Sequence, residues 1–327
     1  MKSFLINHIE ESQTIAITGH TRPDGDCAGS CMGLYNYILA NYPEKKVDIY
    51  LEPIADSYKM VKHTEDIQQP GVLETPADSC MVYDLLICLD TSQKDRMTKG
   101  MSVYFEQAKK TINIDHHVSN TGFADIDHVV SAASSASEVV YDLLEKERID
   151  LASAEALYMG IICDSGVFKY SSTSEHTMQI AGHLMTIGVD SSRWIDEVFY
   201  ERTYKQAKLL GQALLNSELI FEGRCIYTVV DRAMFEYFSA GHDDLEGVVE
   251  QLRLTKGVEV AVLISETVEG TCKFSFRSKR YVDVNKVASI FGGGGHVRAA
   301  GCTIKGDYKE PLKIFLEAIE GQLATDV

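Results

Sequence analysis

Residues 14–30 read T-I-A-I-T-G-H-T-R-P-D-G-D-C-A-G-S. The first five are β-branched or aliphatic, a strand signal, and the Pro and Gly that follow turn the chain into a loop. That loop carries His20, Asp24 and Asp26 beyond the strand's carboxyl end, the edge at which open α/β sheets take their ligands. Gly25 lets the backbone turn tightly, so that both carboxylates converge. Outward from this stretch the same alternation repeats. Strand-like runs occupy 47–51, 84–89 and 111–114, and helical patterns occupy 27–41, 135–147, 152–163 and 175–187. The fold this predicts is α/β, with an N-terminal domain over 1–190 built on a mainly parallel sheet flanked by helices. Ser135 and Glu138 form an S-x-x-E capping box, so that serine cluster marks a helix start and not a nucleophile. Residues 191–216 contain few breakers and read as one connecting helix. Beyond them, strand-like runs at 224–230, 258–266 and 272–277, with a helix over 243–253, predict a smaller C-terminal α/β domain at 217–327.

With 327 residues, 45% hydrophobic and 24% charged, the chain has the composition of a globular protein. No uncharged apolar stretch approaches the ~18 residues of a membrane span, and the apolar start is broken by Asn7, His8, Glu10 and Glu11. No C-x-x-C pair occurs among the eight cysteines, so reduced thiols and a cytoplasmic location are expected. Thirty-one basic against forty-eight acidic residues give a net charge of −17, which repels long duplex nucleic acid. The exception is 273–305, where seven basic residues (Lys273, Arg277, Lys279, Arg280, Lys286, Arg298, Lys305) face one acid, Asp283. Such a patch suits a short anionic ligand, although taken alone it reads equally as a solvated face.

Three more elements end in acids or imidazoles. The run at 84–89 ends at Asp90, the run at 111–114 ends at Asp115, His116 and His117, and the apolar helix over 152–163 delivers Asp164. A lone P-D-G is usually a turn, and a lone strand-end Asp is often a helix cap. The joint placement at equivalent ends of successive elements is what points to a site. Its carboxylates and imidazoles suit Mn²⁺ better than a thiolate-rich zinc site would, with Mg²⁺, Co²⁺ and Fe²⁺ also open.

These motifs, H20-T-R-P-D24-G-D26, Asp90, D115-H116-H117 and D164-S-G-V-F, together with F-R277-S278-K and G292-G-G-G-H296-V-R298, resemble the two-domain DHH/DHHA1 type of the DHH phosphoesterase superfamily. The resemblance implies two divalent ions, one held by His20, Asp24 and Asp90, the other by Asp26, Asp90, His116 and Asp164, with Asp90 bridging. It implies that His117 faces the substrate phosphate and that Asp115 orients its neighbours. Arg277, Ser278, Gly293, Gly294, Gly295, His296 and Arg298 would hold the rest of a nucleotide. The chain departs from the family at Cys27, Ala28 and Ser165, and none of these removes an implied ligand. The activity implied is hydrolysis of short single-stranded RNA to 5′-mononucleotides, or removal of the 3′-phosphate of 3′-phosphoadenosine 5′-phosphate, with a homodimer left open. Alternatives are a phosphodiesterase for cyclic di-AMP or its linear product and, from another class, an RNA-binding protein with a structural metal.

Overall fold

The computed structural model describes residues 2–69, 81–267 and 270–324, so Cys80 lies outside the described residues. The chain divides into two compact units, Met1–Glu201 and Arg202–Val327. The first contains α1 (Phe4–Glu11), β1 (Thr14–Thr18), α2 (Gly25–Asn41), β2 (Lys46–Tyr50), β3 (Leu85–Leu89), α3 (Met101–Gln107), β4 (Thr111–Asp115), β5 (Ile126–Val129), α4 (Ala136–Leu143), α5 (Leu151–Asp164), α6 (Glu175–Ile187) and α7 (Ser191–Ile195). Its five strands form a parallel sheet in the order β2-β1-β3-β4-β5. Both faces are covered, which is why the central strands read as continuous apolar runs. Ile15 and Ile17 of β1 and Leu85, Ile87 and Leu89 of β3 face the core under α1, α2, α4, α5 and α6. Ala16, Leu86 and Cys88 face a smaller cluster with Met97, Met101 and Phe105 around α3.

The contact between α2 and α5 sets the site. Gly25, Gly29 and Gly33 recur every four residues along one stripe of α2, and α5 lies against it. A Cβ on Gly29 would come within 2.6–2.7 Å of the Gly160 and Ala156 backbone, and one on Gly25 would meet the Cys163 sulfur. Only glycine permits this approach, which brings the end of α5 beside the start of α2.

The second unit contains α8 (Tyr204–Leu215), β6 (Glu218–Ile220), β7 (Cys225–Val230), α9 (Arg232–Phe238), α10 (Val248–Arg253), β8 (Val260–Glu266), β9 (Thr271–Ser278), α11 (Val284–Ser289), β10 (Gly294–His296), β11 (Ala299–Lys305) and α12 (Lys309–Leu323). Its six strands run β10-β11-β9-β8-β7-β6, with β7 and β8 parallel and the other pairs antiparallel. One face packs Phe274 and Phe276 against Phe315 and Ile319 of α12, and the other packs Ala261 and Leu263 against α8 and α10.

Residues 191–216 are not one helix. α7 passes into a π turn over Asp196–Tyr200, Glu201 is extended, and Thr203 then caps α8 in a reciprocal box with Gln206. The capping geometry ends one helix and starts the next without a Gly or Pro. Ser135 caps α4 as expected, but the Glu138 carboxylate accepts from Ser134 and Thr177 instead of reaching back to Ser135. Among the described residues seven cysteines are free, and no helix is long and apolar enough to cross a membrane.

Candidate functional site

The carboxyl ends of β1, β3 and β4, the start of α2 and the end of α5 bring His20, Asp24, Asp26, Asp90, Asp115, His116, His117 and Asp164 into one cluster. Asp90 is its centre. It follows β3 in a left-handed conformation, φ 51°, uncommon for a non-glycine residue and a sign of local strain. Its backbone N–H is tied to the Ile114 carbonyl at 3.0 Å, which locks the turn to β4. The residue is 2% exposed, and its two carboxylate oxygens face different partners. Oδ2 lies 3.4 Å from His20 Nε2, while Oδ1 lies 3.5 Å from both His116 Nε2 and His117 Nδ1.

His20 Nδ1 bonds the Thr21 carbonyl at 2.9 Å, which turns Nε2 toward Asp90 and toward Asp24 Oδ1, 3.7 Å away. Asp24 does two jobs, since Oδ1 also accepts from the Asp26 and Cys27 amides as the N-cap of α2. Asp26 is buried and braces α4, accepting from the Ala136 and Ser137 amides at 2.6 and 3.0 Å. It still stands 3.8 Å from His116 Nε2, and Asp164 stands 3.5 Å from the same nitrogen. Just past Asp164, Gly166, Val167 and Phe168 all have φ between 56° and 61°. For a β-branched valine this is strained, and the left-handed turn closes the chain behind the carboxylate.

The electrostatics show what the cluster lacks. Asp26 is pushed well above the ordinary carboxylate range, by burial first and then by the charges of Asp90 and Asp164. Burial likewise raises Asp164, to about 6. Burial alone would lower His116, but Asp90, Asp26 and Asp164 outweigh it and raise the imidazole to about 10. Acids repel one another here and draw in whatever positive charge is at hand. Asp90 Oδ1 is buried and has no hydrogen-bond partner. A buried carboxylate oxygen without a donor is costly, and a cation would satisfy it. Three groups are close enough to share an ion: His20 with Cys27 and Asp90, Asp90 with His116 and His117, and Asp26 with His116 and Asp164. Carboxylates and imidazoles are a donor set that fits divalent Mn²⁺ or Mg²⁺, so the residues present suit a metal pair.

These groups depart from the expected ligand sets: Cys27 and not Asp24 stands with His20 and Asp90, Asp90 is outside the Asp26–His116–Asp164 group, and His117 joins Asp90 and His116. His117 Nδ1, the atom beside Asp90, donates to Asp115 Oδ1 at 2.8 Å. That bond fixes the tautomer and leaves Nε2 free for another partner. Asp115 is fully buried, and its other oxygen accepts from Asn120 Nδ2 at 2.7 Å. Asn120, whose amide also reaches the Thr91 carbonyl, completes an Asn120–Asp115–His117 relay that sequence reading missed. Its only signal was a polar residue three positions after His117. Cys27 borders the site: its sulfur accepts from the His20 amide at 3.3 Å.

In the second unit the expected nucleotide-holding residues separate into two sets. His296 is exposed and Arg277 half-buried, and the register His296↔Ala299↔Arg277 places them in one row across β10, β11 and β9. Ser278 is buried, and Arg298, although exposed, is engaged by backbone carbonyls. The Ser278 hydroxyl donates to the Val282 carbonyl at 2.7 Å, and the Arg298 guanidinium donates to the Val282 and Arg280 carbonyls. Within the glycine run, a Cβ on Gly293 would lie 2.4 Å from the Gly301 carbonyl oxygen, and one on Gly295 would lie 2.4 Å from that of Ala299. Those two glycines admit the neighbouring strand. A Cβ on Gly294 would meet nothing closer than 3.7 Å.

Comparison with known proteins agrees with this division. Residues 14–161 match the DHH family N-terminal domain and 223–325 match the DHHA1 domain. The chain is 30% identical to the bifunctional oligoribonuclease and PAP phosphatase NrnA of Bacillus subtilis, over 93% of each chain. It is 28% identical to the protein of the same name from Thermus thermophilus, over 94% of this chain and 90% of that one. Among solved structures, an exopolyphosphatase-related protein from Bacteroides fragilis superposes with a TM-score of 0.85 at 27% identity, covering 97% of this chain and 94% of that one. With both domains in order and the likeness running nearly end to end, the chain belongs to the DHH/DHHA1 phosphoesterase family.

Proposed function

We propose that this protein is a divalent-metal phosphoesterase that hydrolyses short oligoribonucleotides to 5′-mononucleotides and removes the 3′-phosphate of 3′-phosphoadenosine 5′-phosphate. The observation that carries the reading is Asp90, a buried carboxylate whose two oxygens face separate imidazoles and one of which has no donor. The relatives' names support the substrates, and the two reactions share a bond. In each, water adds to phosphorus, the bond from phosphorus to the ribose 3′ oxygen breaks, and that oxygen leaves with a proton.

His20, Asp24 and Asp90 would hold one ion, and Asp26, Asp90, His116 and Asp164 the other, with Mn²⁺ the ion we favour. When bound, such ions lower the pKa of a coordinated water and screen the phosphoryl oxygens. The chain's own groups do the rest. Asp115 accepts from His117 Nδ1 and holds the imidazole in place, so that Nε2, when protonated, can donate to a phosphoryl oxygen or to the leaving 3′ oxygen. His296, the Gly294 backbone and the terminal nitrogen that Arg277 keeps beyond its bonds to Glu250 and Phe276 would hold the remaining phosphate or ribose.

The test is turnover by purified protein with Mn²⁺ on RNAs from the dinucleotide upward, on the bisphosphate and on cyclic di-AMP, with products separated by chromatography. We expect mononucleotides from the shortest RNAs and adenosine 5′-phosphate from the bisphosphate, both abolished by chelator. Cleavage of the cyclic dinucleotide alone would replace this reading with a cyclic-dinucleotide phosphodiesterase. No turnover of any substrate with Mn²⁺, Mg²⁺ or Co²⁺ would refute it.

A further inference from the structure

Arg277 stands in β9 between two alanines, since the register pairs it with Ala299 on one side and Ala261 on the other. Directly paired residues of antiparallel strands project from the same face, so Arg277 lies between two small neighbours. It is held firmly. Glu250 of α10 accepts from Arg277 Nε at 2.7 Å through Oε1 and from Arg253 Nε at 2.9 Å through Oε2. One carboxylate therefore ties two guanidiniums back to back, across a helix and a strand.

The consequence lies in what is left over. Arg277 Nη1 donates to the Phe276 carbonyl at 3.0 Å, while its Nη2 and both terminal nitrogens of Arg253 have no hydrogen-bond partner among the described residues. Each arginine spends its Nε edge on Glu250 and keeps terminal donors for something else. The side chains are partly open, with Arg253 22% and Arg277 31% exposed. Exposed ion pairs contribute little to stability, so folding gives a weak reason for a three-charge arrangement. Two forks held at fixed orientation are well suited to the oxygens of a phosphate.

We propose that Glu250 is a positioning residue that sets Arg277 and Arg253 as a pair, and that Arg253 is a second cationic contact for a phosphate of the bound nucleotide. This rests on the phosphoesterase reading above and on Arg277 meeting the substrate. The sign of one mutation separates positioning from plain charge. Removing an acid raises the local positive charge, so electrostatics alone would tighten binding of an anion. Loss of positioning weakens it.

The experiment compares Glu250→Gln, Glu250→Asp, Arg253→Leu and Arg277→Ala in the full-length protein, by steady-state kinetics on a 5′-phosphorylated diadenylate. Calorimetric titration with 3′-phosphoadenosine 5′-phosphate and melting temperatures accompany the kinetics. With charge-assisted bonds of this type at stake, we expect Glu250→Gln to raise KM about tenfold with kcat within about twofold, and Arg253→Leu to raise it roughly threefold to fivefold. Glu250→Asp, which keeps the carboxylate, should recover KM to within about threefold of the parent. An unchanged or lower KM for Glu250→Gln overturns the proposal, as does a fall in kcat that tracks a lowered melting temperature. If Arg277→Ala leaves KM unchanged while turnover persists, the proposal fails and the phosphoesterase reading stands. If the parent turns over nothing, that reading fails, and calorimetry decides the proposal: weaker bisphosphate binding by Glu250→Gln supports it and equal binding overturns it.

Discussion

The two charged clusters of this protein are built on opposite principles. In the first unit, acids are buried until their carboxyls rise, and Asp90 Oδ1 is left without a donor. In the second unit, three arginines already have acceptors: Arg298 in backbone carbonyls, and Arg277 and Arg253 in the one Glu250 carboxylate. The first cluster leaves a buried carboxylate oxygen that a cation would satisfy, whereas in the second each arginine already has an acceptor and keeps terminal donors beyond it. On the proposed function, chemistry belongs with the first arrangement and grip with the second.

Substituting Asp90 probes the incomplete side most sharply. Asp90→Asn should cut kcat on the order of a thousandfold or more, because the shared ligand of both proposed ions is lost. The same change should leave the metal-free protein as stable as the parent or more so, since it removes a charge that pushes Asp26 and Asp164 upward. Melting curves with and without Mn²⁺ check this, and a large loss of metal-free stability would break the contrast. Asn120→Ala loosens Asp115 and, through it, His117; supporting residues of this kind are worth roughly 10–100-fold. We expect that loss in kcat, with KM little altered.

A third substitution asks whether the acids depend on the helix crossing. Gly29→Ala puts a Cβ against the Gly160 and Ala156 backbone, which has no side chain to swing away. The expected cost is about 2–3 kcal/mol by chemical denaturation. An outcome near zero would mean that α2 and α5 are not packed as closely as described.

The smallest effect concerns an ordinary surface acid. Asp84 accepts from Lys109 Nζ at 2.7 Å and from the Gln13 and Thr14 amides, and these bonds hold its carboxyl below the usual range. A depressed carboxylate stabilises the fold above its unfolded pKa of about 3.9 and loses that contribution as pH falls through the folded value. Asp84→Asn should therefore cost about 1 kcal/mol at pH 7, with the gap from the parent closing below about pH 3. Paired melts at the two pH values measure it.

Much of the first site was legible because burial on both faces writes β1, β3 and β4 as largely β-branched or aliphatic runs, and His20, Asp90 and Asp115 stand at or just past their ends. β5 was not legible. Its I-D-H-V is short, lies at a sheet edge and alternates in exposure. β10 and β11 were missed for the opposite reason, since glycine and alanine are weak strand formers held here by pairing with β9. The break between α7 and α8 was readable in T203-Y-K-Q206, an S/T-x-x-Q box inside what looked like one helix. Asn120 and Glu250 lay beyond reach, because their roles come from partners that the tertiary structure supplies.

The central claim is that Asp90 joins two cation positions. Anomalous diffraction at the manganese edge, from crystals soaked in Mn²⁺, tests it most directly. The account predicts two peaks flanking the Asp90 carboxylate, one beside His20 and one beside His116. A single peak, or none within reach of Asp90, would contradict it.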